Sequence, residues 1–290
     1  MAKHLEKRSL KKEPFSLEKR IRLRLSQGRL NVLAMPRPVA EVLRLLDAET
    51  TTTGEIAHAL GRDQALATHL LALANSAFYR GAKPVSAIEQ AVVRLGLREI
   101  KGMVLMISLK GLFKENEHPA LARPIWHHSL AAALLARDLA SACTEDPDEA
   151  FTAGLVHDIG KMAVMAVYEE LVAASEIAAV SDAVLAPLLS QFHVEAGRML
   201  AEEWDLPPAT TEAIATHHSD MSLIKSRIGR LVAVANGLAV IVGFAAPSSP
   251  PVSDDVRRAC LQAGVDAAQQ ARLLKEIPQM LAELELSTSK

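Results

Sequence analysis

Several features are scarce in this sequence of 290 residues, and each scarcity excludes a class of protein. Aromatic residues make up 3% of the chain, and alternating runs of valine, isoleucine and threonine are nearly absent, which argues against a β-sheet protein. Two cysteines, Cys143 and Cys260, are too few for a disulfide framework and suggest a reducing compartment. The longest apolar runs, such as residues 238–242, fall short of the roughly 20 residues that span a membrane. Since no apolar segment follows the basic N-terminus, no signal peptide is expected, and the sequence predicts a cytoplasmic protein.

Charge of one sign is not in excess over the whole chain either. The formal net charge is −2, which argues against a surface that binds nucleic acid throughout, so no nucleic-acid partner is expected. Residues 1–30 are the exception, with ten lysines and arginines against three glutamates. There Leu17, Ile21 and Leu25 recur every four residues between basic side chains, which predicts an amphipathic helix. Such a helix could contact a membrane or a partner, but a terminal helix packed on the domain with a solvated basic face explains the pattern better.

Apolar residues are plentiful, at 50% of the chain, and they recur at helical spacing, which predicts an all-α protein. Two capping boxes mark predicted helix starts, Thr52 with Glu55 and Ser86 with Glu89. The polar stretch 115–124 contains two prolines and predicts a hinge between two helical lobes, with the next helix starting after Pro124. Residues 55–76 have the rhythm of a helix-turn-helix motif, but the second helix holds almost no lysine or arginine, so packed helices explain it better.

The stretch GLVHDIGKMAV, residues 154–164, places an imidazole, a carboxylate and an ammonium group in an apolar segment. Burying His157, Asp158 and Lys161 is costly unless something pairs with them. The helix that contains the first two is predicted to end at Gly160, whose conformational freedom would let both side chains approach one point. A neutral imidazole and a carboxylate are good ligands for a divalent metal ion. Lys161 would then lie near an anionic substrate or, alternatively, extend to solvent.

Further histidines lie at predicted helix ends in the same half of the chain, namely His127, His128, His193, His217 and His218. A single histidine near an apolar face is usually hydrogen-bonded within the core. So many at helix ends favour a shared polar or metal-binding pocket over scattered structural histidines. Such a pocket could hold one metal ion or two, and a pair could activate water and clamp a phosphate.

The HD pair followed by Ile-Gly-Lys resembles the HD superfamily of metal-dependent phosphohydrolases. A closer resemblance, to the HDOD branch, is carried by segments that include LLALANSAFYRG, PIWHHSLAAALLARDLA and EAFTAGLVHDIGKM. These segments cover, in order, residues 70–105, 124–140, 149–162, 192–207 and 214–220. The resemblance extends over about residues 30–220 and implies an all-α, HDOD-type fold of two lobes. The implied organisation is a basic segment 1–27, an HDOD domain 28–225 with an N-terminal lobe 28–115 and an HD-like lobe 116–225, and a helical extension 226–290.

The resemblance also implies a set of metal ligands. The first histidine of the superfamily falls on His128, and its HD pair falls on His157 and Asp158. The extra histidines of the related HD-GYP cyclic-dinucleotide phosphodiesterases match His193, His217 and His218, whereas His127 has no clear counterpart and is expected beside the site or at the surface. Asn236 stands where the last aspartate of the superfamily is expected, and asparagine is a weaker, neutral ligand. The Gly-Tyr-Pro stretch of HD-GYP enzymes is replaced by residues 219–230, which argues against cyclic-di-GMP hydrolysis.

The sequence therefore leaves two possible functions open. The first is a bacterial signal-transduction or regulatory protein that contacts other signalling proteins, has a divalent-metal pocket and lacks robust catalysis. The second is a metal-dependent phosphohydrolase or phosphodiesterase that acts on nucleotides or cyclic nucleotides, with Asp158 and Lys161 in catalytic roles. The metal candidates are iron, manganese, nickel, zinc and magnesium. Nucleotides and cyclic dinucleotides are candidate ligands in either case.

Overall fold

A computed structural model describes residues 14–28, 35–46, 48, 50–76, 79, 81–114, 116–262 and 267–287. In these ranges the protein is all-α, as predicted, and we number its helices in chain order. They are α1 Pro14–Ser26, α2 Arg37–Leu46, α3 Thr53–Gly61, α4 Gln64–Ala74, α5 Ile88–Leu95, α6 Leu97–Lys114, α7 Pro119–Ala142, α8 Pro147–Val156, α9 Ile159–Ala173, α10 Asp182–Glu203, α11 Pro208–Thr216, α12 Arg227–Ile241, α13 Asp254–Gln262 and α14 Ala267–Ser287.

The helices form two neighbouring groups that share one hydrophobic core. Helices α2 to α6 pack on one another, and α7 to α12 form the larger group, in which α7 lies against α8 and α12 while α9 lies against α10. Helix α6 joins the groups because it contacts both α2 and α8. Helix α14 contacts α4 and α7, so the C-terminal segment also touches both groups. The domain limits given above at 27, 115 and 225 stay predictions.

The basic N-terminal helix packs on the second group. Leu17, Ile21 and Leu25 are buried, and α1 contacts α9 and α10. The guanidinium groups of Arg20 and Arg24 pair with Glu176 at 2.7 and 2.5 Å. The apolar stripe of α1 therefore faces the core and leaves a basic face outside, while residues 1–13 of the basic segment lie outside the described residues.

One predicted capping box is present and the other is not. The Thr52 hydroxyl accepts from the Glu55 backbone, and the Glu55 carboxylate accepts from the Thr52 backbone. The box predicted for Ser86 and Glu89 is wrong, because α5 begins at Ile88 and its N-cap, Ala87, makes no side-chain cap. The segment before α5 is instead fixed by Asn75, which follows α4. The Asn75 side chain donates a hydrogen bond to the Val85 carbonyl and accepts one from the Val85 amide, both at 2.8 Å.

Helix α7 begins earlier than the prediction that placed its start after Pro124. Pro119 occupies its first turn, where a missing N–H is not needed, and Pro124 lies inside the helix. Leu121, Ala122 and Ile125 are buried on either side of Pro124. Burial of this turn outweighs the local cost of the second proline.

One stretch of the described chain, Pro147–Ala173, is long and apolar enough to cross a membrane by length and composition alone. It comprises α8 and α9, which are separated by a two-residue turn. The most apolar window of this stretch is completely buried inside the protein. Its hydropathy is therefore explained by its place in the core.

A polar network links the two groups of helices and contains a carboxyl with a raised pKa. The Tyr79 hydroxyl donates to Glu99 at 2.6 Å, and Arg137 donates to the Tyr79 oxygen at 2.7 Å and pairs with Glu99 at 2.6 Å. Asp148, half-buried on α8, is exposed to the like charge of Glu99. Burial, together with the like charge of Glu99, raises the pKa of Asp148 to about 6.

We expect Asp148→Asn to stabilise the protein at neutral pH and not in acid. The unfolded chain releases this proton near its ordinary pKa of 3.8 and the folded chain only near 6, so the native protein loses stability between these values as the pH rises. After allowance for solvent screening, the gain should be about 1 kcal/mol at pH 7.5 and should vanish toward pH 4. Urea denaturation across this pH range measures it. The exposed Asp220→Asn serves as the control, and a gain that does not depend on pH would contradict the assignment.

Candidate metal centre

Five buried side chains from separate parts of the fold converge at one point in the second group of helices. His128 and His193 lie inside α7 and α10, so the helix ends predicted for them are wrong, whereas His217 follows the last residue of α11 as predicted. His157 and Asp158 form the turn between α8 and α9. Each of the five is at most 2% exposed. The predicted gathering of distant histidines around Asp158 is therefore what the fold produces.

Gly160 has a different role from the predicted one. Helix α8 ends before it, at Val156, and Gly160 lies in the first turn of α9. A Cβ atom at this position would lie 1.8 Å from the backbone oxygen of His193 and 2.5 Å from the backbone nitrogen of Gly197. The missing side chain thus lets α9 touch α10, which brings Asp158 beside His193.

Backbone carbonyls fix the orientation of the four buried imidazoles. In each ring Nδ1 lies within hydrogen-bonding distance of a carbonyl oxygen, which can only accept, so Nδ1 carries the proton and Nε2 presents a lone pair. The carbonyls belong to Phe244 for His128 (2.6 Å), Gly154 for His157 (2.7 Å), Ser190 for His193 (2.8 Å) and Ile214 for His217 (2.9 Å). Burial lowers the pKa of His157 well below its ordinary value and that of His193 to about 4, so these rings are neutral at pH 7.

The Nε2 atoms face one another without a proton to share. His128 and His157 approach to 3.2 Å between their Nε2 atoms, and the Nε2 atoms of His193 and His217 are also 3.2 Å apart. The carboxylate of Asp158 lies between the two pairs and can only accept as well. Lone pairs at such distances repel each other unless a cation lies among them.

One half of the cluster fits a metal ion closely. Oδ1 of Asp158 lies 3.3 Å from Nε2 of His193 and 3.5 Å from Nε2 of His217. Ligand atoms at about 2.0–2.1 Å from a tetrahedral metal are roughly 3.3 Å apart, so these separations match the edges of one coordination polyhedron. The exposed His218 completes a group whose ligand atoms all lie within 4.8 Å of one another. Oδ1 itself is buried and has no hydrogen-bond partner, which leaves it available to a cation.

The other half, formed by His128, His157 and Asp158, also has ligand atoms within 4.8 Å of one another, but a side chain already occupies it. Oδ2 of Asp158 lies 3.6 Å from Nε2 of both His128 and His157, but it also accepts from Nζ of Lys161 at 2.5 Å. Lys161 is 1% exposed, so the alternative in which it extends to solvent is wrong. Burial alone would raise the pKa of Asp158, yet the ammonium group of Lys161 beside it holds that pKa well below the usual range. The two oxygens of one carboxylate therefore have different environments.

The remaining predicted residues lie around the cluster. The ring of His218 lies against that of His217, with centroids 4.1 Å apart. Asn236, on α12, lines a cavity together with His217 and His218. His127 is half-buried and belongs to neither metal-binding group.

Sequence reasoning missed two parts of the centre. One is the Phe244 carbonyl that orients His128, for which the sequence offers no signal because any residue has a carbonyl. The other is Gly197, whose absent Cβ lets α10 meet both Gly160 and Ile214. A glycine one helical turn after His193 was the available signal for that contact.

Comparison with known proteins agrees with this geometry. The protein-family model described as the HDOD domain matches residues 32–220. The fold is similar to the crystal structure of a proposed metal-dependent phosphohydrolase from Shewanella amazonensis SB2B, with a TM-score of 0.73 and 20% identity over 95% of this chain and 99% of that one. It is also similar to a proposed signal-transduction protein from Marinobacter aquaeolei VT8, with a TM-score of 0.64 and 19% identity over 96% of this chain and 66% of that one. At these identities the likeness shows the fold alone.

A curated relative is considerably longer than this chain. It is an uncharacterized protein of Treponema pallidum (strain Nichols), 27% identical over 192 residues. The match covers 64% of this chain but 37% of the relative, so this chain corresponds to little more than a third of that protein.

Proposed function

The chain belongs to the HDOD domain family, and we propose that it is a cytoplasmic bacterial regulatory protein whose HD-like lobe binds one divalent metal ion without robust catalysis. The observation that carries this proposal is the unequal environment of the two Asp158 oxygens. Oδ1 faces imidazoles and has no hydrogen-bond partner, whereas Oδ2 is neutralised by Lys161. A second cation at Oδ2 would lie against a buried ammonium group, and repulsion in a poorly screened interior disfavours it.

The ligand atoms narrow the choice of metal. The available half-site offers His193, His217 and His218 nitrogens and one Asp158 oxygen. Imidazole-rich sites suit zinc, iron and nickel, whereas magnesium and manganese prefer oxygen ligands, so these two ions are disfavoured. When bound, the ion would supply Lewis acidity and would tie together α10, α11 and the turn that contains Asp158.

The link that a bound metal makes between these segments provides the mechanism of regulation that we propose. A metal that links three separate segments stabilises one arrangement of the lobe, so its presence or absence changes the stability of the surface offered to partners. Other signalling proteins are the partners we propose. A metal-dependent phosphohydrolase remains the alternative, because the exposed His218 borders a cavity where a substrate could reach the metal.

The test is metal content together with turnover. Protein dialysed against zinc, iron or nickel should retain about one ion per chain by elemental analysis, with a raised melting temperature. It should not hydrolyse bis-p-nitrophenyl phosphate, nucleotides or cyclic dinucleotides. The His193→Ala variant should lose the ion, because one of its imidazole ligands is removed. The matched control is His127→Ala, which changes a histidine that belongs to neither set of candidate metal ligands. This variant should keep the ion. Metal-dependent turnover that His193→Ala abolishes would establish the phosphohydrolase instead, and failure to retain any ion would refute both.

A further inference from the structure

A cavity of about 330 Å³ lies between the two groups of helices. Leu46 of α2 and three residues of α6 form the wall that belongs to the first group. The start of α8 and the start of α11 form the wall that belongs to the second group. Pockets for small ligands measure roughly 300–1,000 Å³ and occur preferentially at interfaces between domains, so the size and the place of this cavity suit a small molecule.

The cavity and the metal centre lie at opposite ends of the same two helices. Helix α8 begins at Pro147, beside the cavity, and its last residue is followed by His157. Helix α11 begins at Pro208, next to the lining residue Pro207, and its last residue is followed by His217. Since a helix rises about 1.5 Å per residue, helices of this length separate the two places by about 14 Å. The cavity is therefore not part of the metal centre.

The lining of the cavity carries more negative than positive charge. Its charged side chains, among the residues that the structure describes, are Arg98, Lys101, Asp146, Asp148 and Glu149. The guanidinium group of Arg98 pairs with Asp146 at 3.4 Å. Asp148 lies near another carboxylate, that of Glu99, which already pairs with Arg137 at 2.6 Å. The cavity therefore offers carboxylate oxygens that the positive groups of the protein do not fully neutralise.

The pKa values of two lining carboxyl groups agree with this surplus of negative charge. Burial, together with the like charge of Glu99, raises the pKa of Asp148 to about 6. Burial, together with the like charge of Asp146, also raises the pKa of Glu149, although Lys101 acts in the opposite direction. A cation bound beside these groups would favour their charged forms. Titratable groups with shifted pKa values in a cleft are typical of binding sites.

A buried hydroxyl group adds a further polar contact to the lining. Thr210 on α11 is fully buried, and its hydroxyl oxygen has no hydrogen-bond partner in the part of the chain that the structure describes. A buried hydroxyl group is costly unless something pairs with it. Its oxygen can accept a hydrogen bond from an ammonium group, as the carboxylates can. The apolar side chains of Leu46, Leu97 and Pro207 line the same cavity and suit a short aliphatic chain.

We propose that this cavity binds a small primary amine, whose ammonium group is held by the carboxylates of Asp148 and Glu149 and by the hydroxyl group of Thr210. The inference goes beyond the proposed function and does not depend on a bound metal ion. Hydrogen bonds between an ammonium group and a carboxylate are about twice as strong as neutral ones, so the charge of the amine decides its affinity. An anion of the same shape would be repelled by the surplus of carboxylates.

The experiment titrates the whole protein at neutral pH, after dialysis against EDTA, with n-butylammonium as the probe. 1-Butanol and valerate have the same butyl chain but carry a neutral and a negative group. Saturation-transfer difference NMR measures the three dissociation constants. Butylammonium should bind at least about tenfold more tightly than either of the others, because it alone donates charged hydrogen bonds to the carboxylates. Equal affinities, or tighter binding of valerate, would overturn the proposal. Since no metal is present, this result is independent of the metal centre.

Three single variants test which groups hold the ammonium ion. Asp148→Asn and Glu149→Gln should each weaken butylammonium binding about tenfold, because each removes a charged partner. Thr210→Val, which keeps the shape of the side chain, should weaken it about threefold. Asp148→Asn is expected to be more stable than the original protein at this pH, so unfolding cannot explain its loss of binding.

The control variant is Asp220→Asn, which removes an exposed carboxylate outside the lining and should bind butylammonium as the original protein does. An equal loss in Asp220→Asn would show that the probe responds to net charge alone and would overturn the inference. Unchanged affinity in any of the three cavity variants would overturn it as well, because that side chain would not contact the amine.

Discussion

Gly160→Ala should destabilise the protein by more than about 3 kcal/mol and abolish metal binding. The added methyl group would lie 1.8 Å from the His193 backbone oxygen and 2.5 Å from the Gly197 backbone nitrogen. Overpacked side chains usually cost about 1–3 kcal/mol because neighbouring side chains can turn away, but here the obstacle is the backbone of a long helix. Relief requires α10 to move away from α9. That movement would carry His193 away from Asp158 and break the ligand set.

The matched control for this change is Gly111→Ala on α6. A Cβ atom there meets nothing within 4 Å, and the position is exposed inside a helix, so alanine should stabilise by about 0.5–1 kcal/mol through helix propensity. Urea denaturation and elemental analysis of the two variants give the comparison. Equal stabilities, or full metal retention in Gly160→Ala, would show that α9 and α10 do not depend on this contact.

The sequence predicted which residues form the centre better than how they are held. The helix end that bears His217 follows from local signals, namely the prolines before α11, and the burial of Asp158 follows from its apolar surroundings. The helix end predicted for His193 is wrong, because His193 lies in the middle of α10. These local signals do not identify which distant residue each side chain contacts in the folded protein. From the sequence alone, Lys161 is expected either at solvent or near a substrate. Only the packed fold shows that its ammonium group contacts the carboxylate of Asp158.

Helix boundaries failed where tertiary contacts override local preference. Ser86 and Glu89 have the right spacing for a capping box, but the hydrogen bonds from Asn75 to Val85 fix the chain just before them. Similarly, a glycine near a predicted helix end suggests a terminator, whereas Gly160 is required by the approach of α10. Both errors arise from contacts between residues that are distant in the sequence or in separate helices, which no local pattern encodes.

The Asp158–Lys161 pair makes it possible to separate stability from metal binding. Both side chains are buried, and removing one partner of a buried pair leaves an uncompensated charge. In metal-free protein, Asp158→Ala should therefore cost about 3–5 kcal/mol. Lys161→Met leaves the Asp158 carboxylate without its ammonium partner, so this variant should be less stable than the original protein when no metal is present. It should bind a metal ion more tightly, because the positive charge that repels the ion has been removed.

The double variant Asp158→Ala/Lys161→Met is the decisive comparison. Replacing a buried ion pair by apolar groups is often nearly neutral, so the double variant should recover most of the stability that Asp158→Ala loses. It should nevertheless retain less than a tenth of the metal, because the carboxylate that faces His193 and His217 is gone. Urea denaturation in EDTA and elemental analysis after dialysis measure the two effects separately. A double variant as unstable as Asp158→Ala would refute the unpaired charge as the cause, and retention of metal without Asp158 would place the ion elsewhere among the imidazoles.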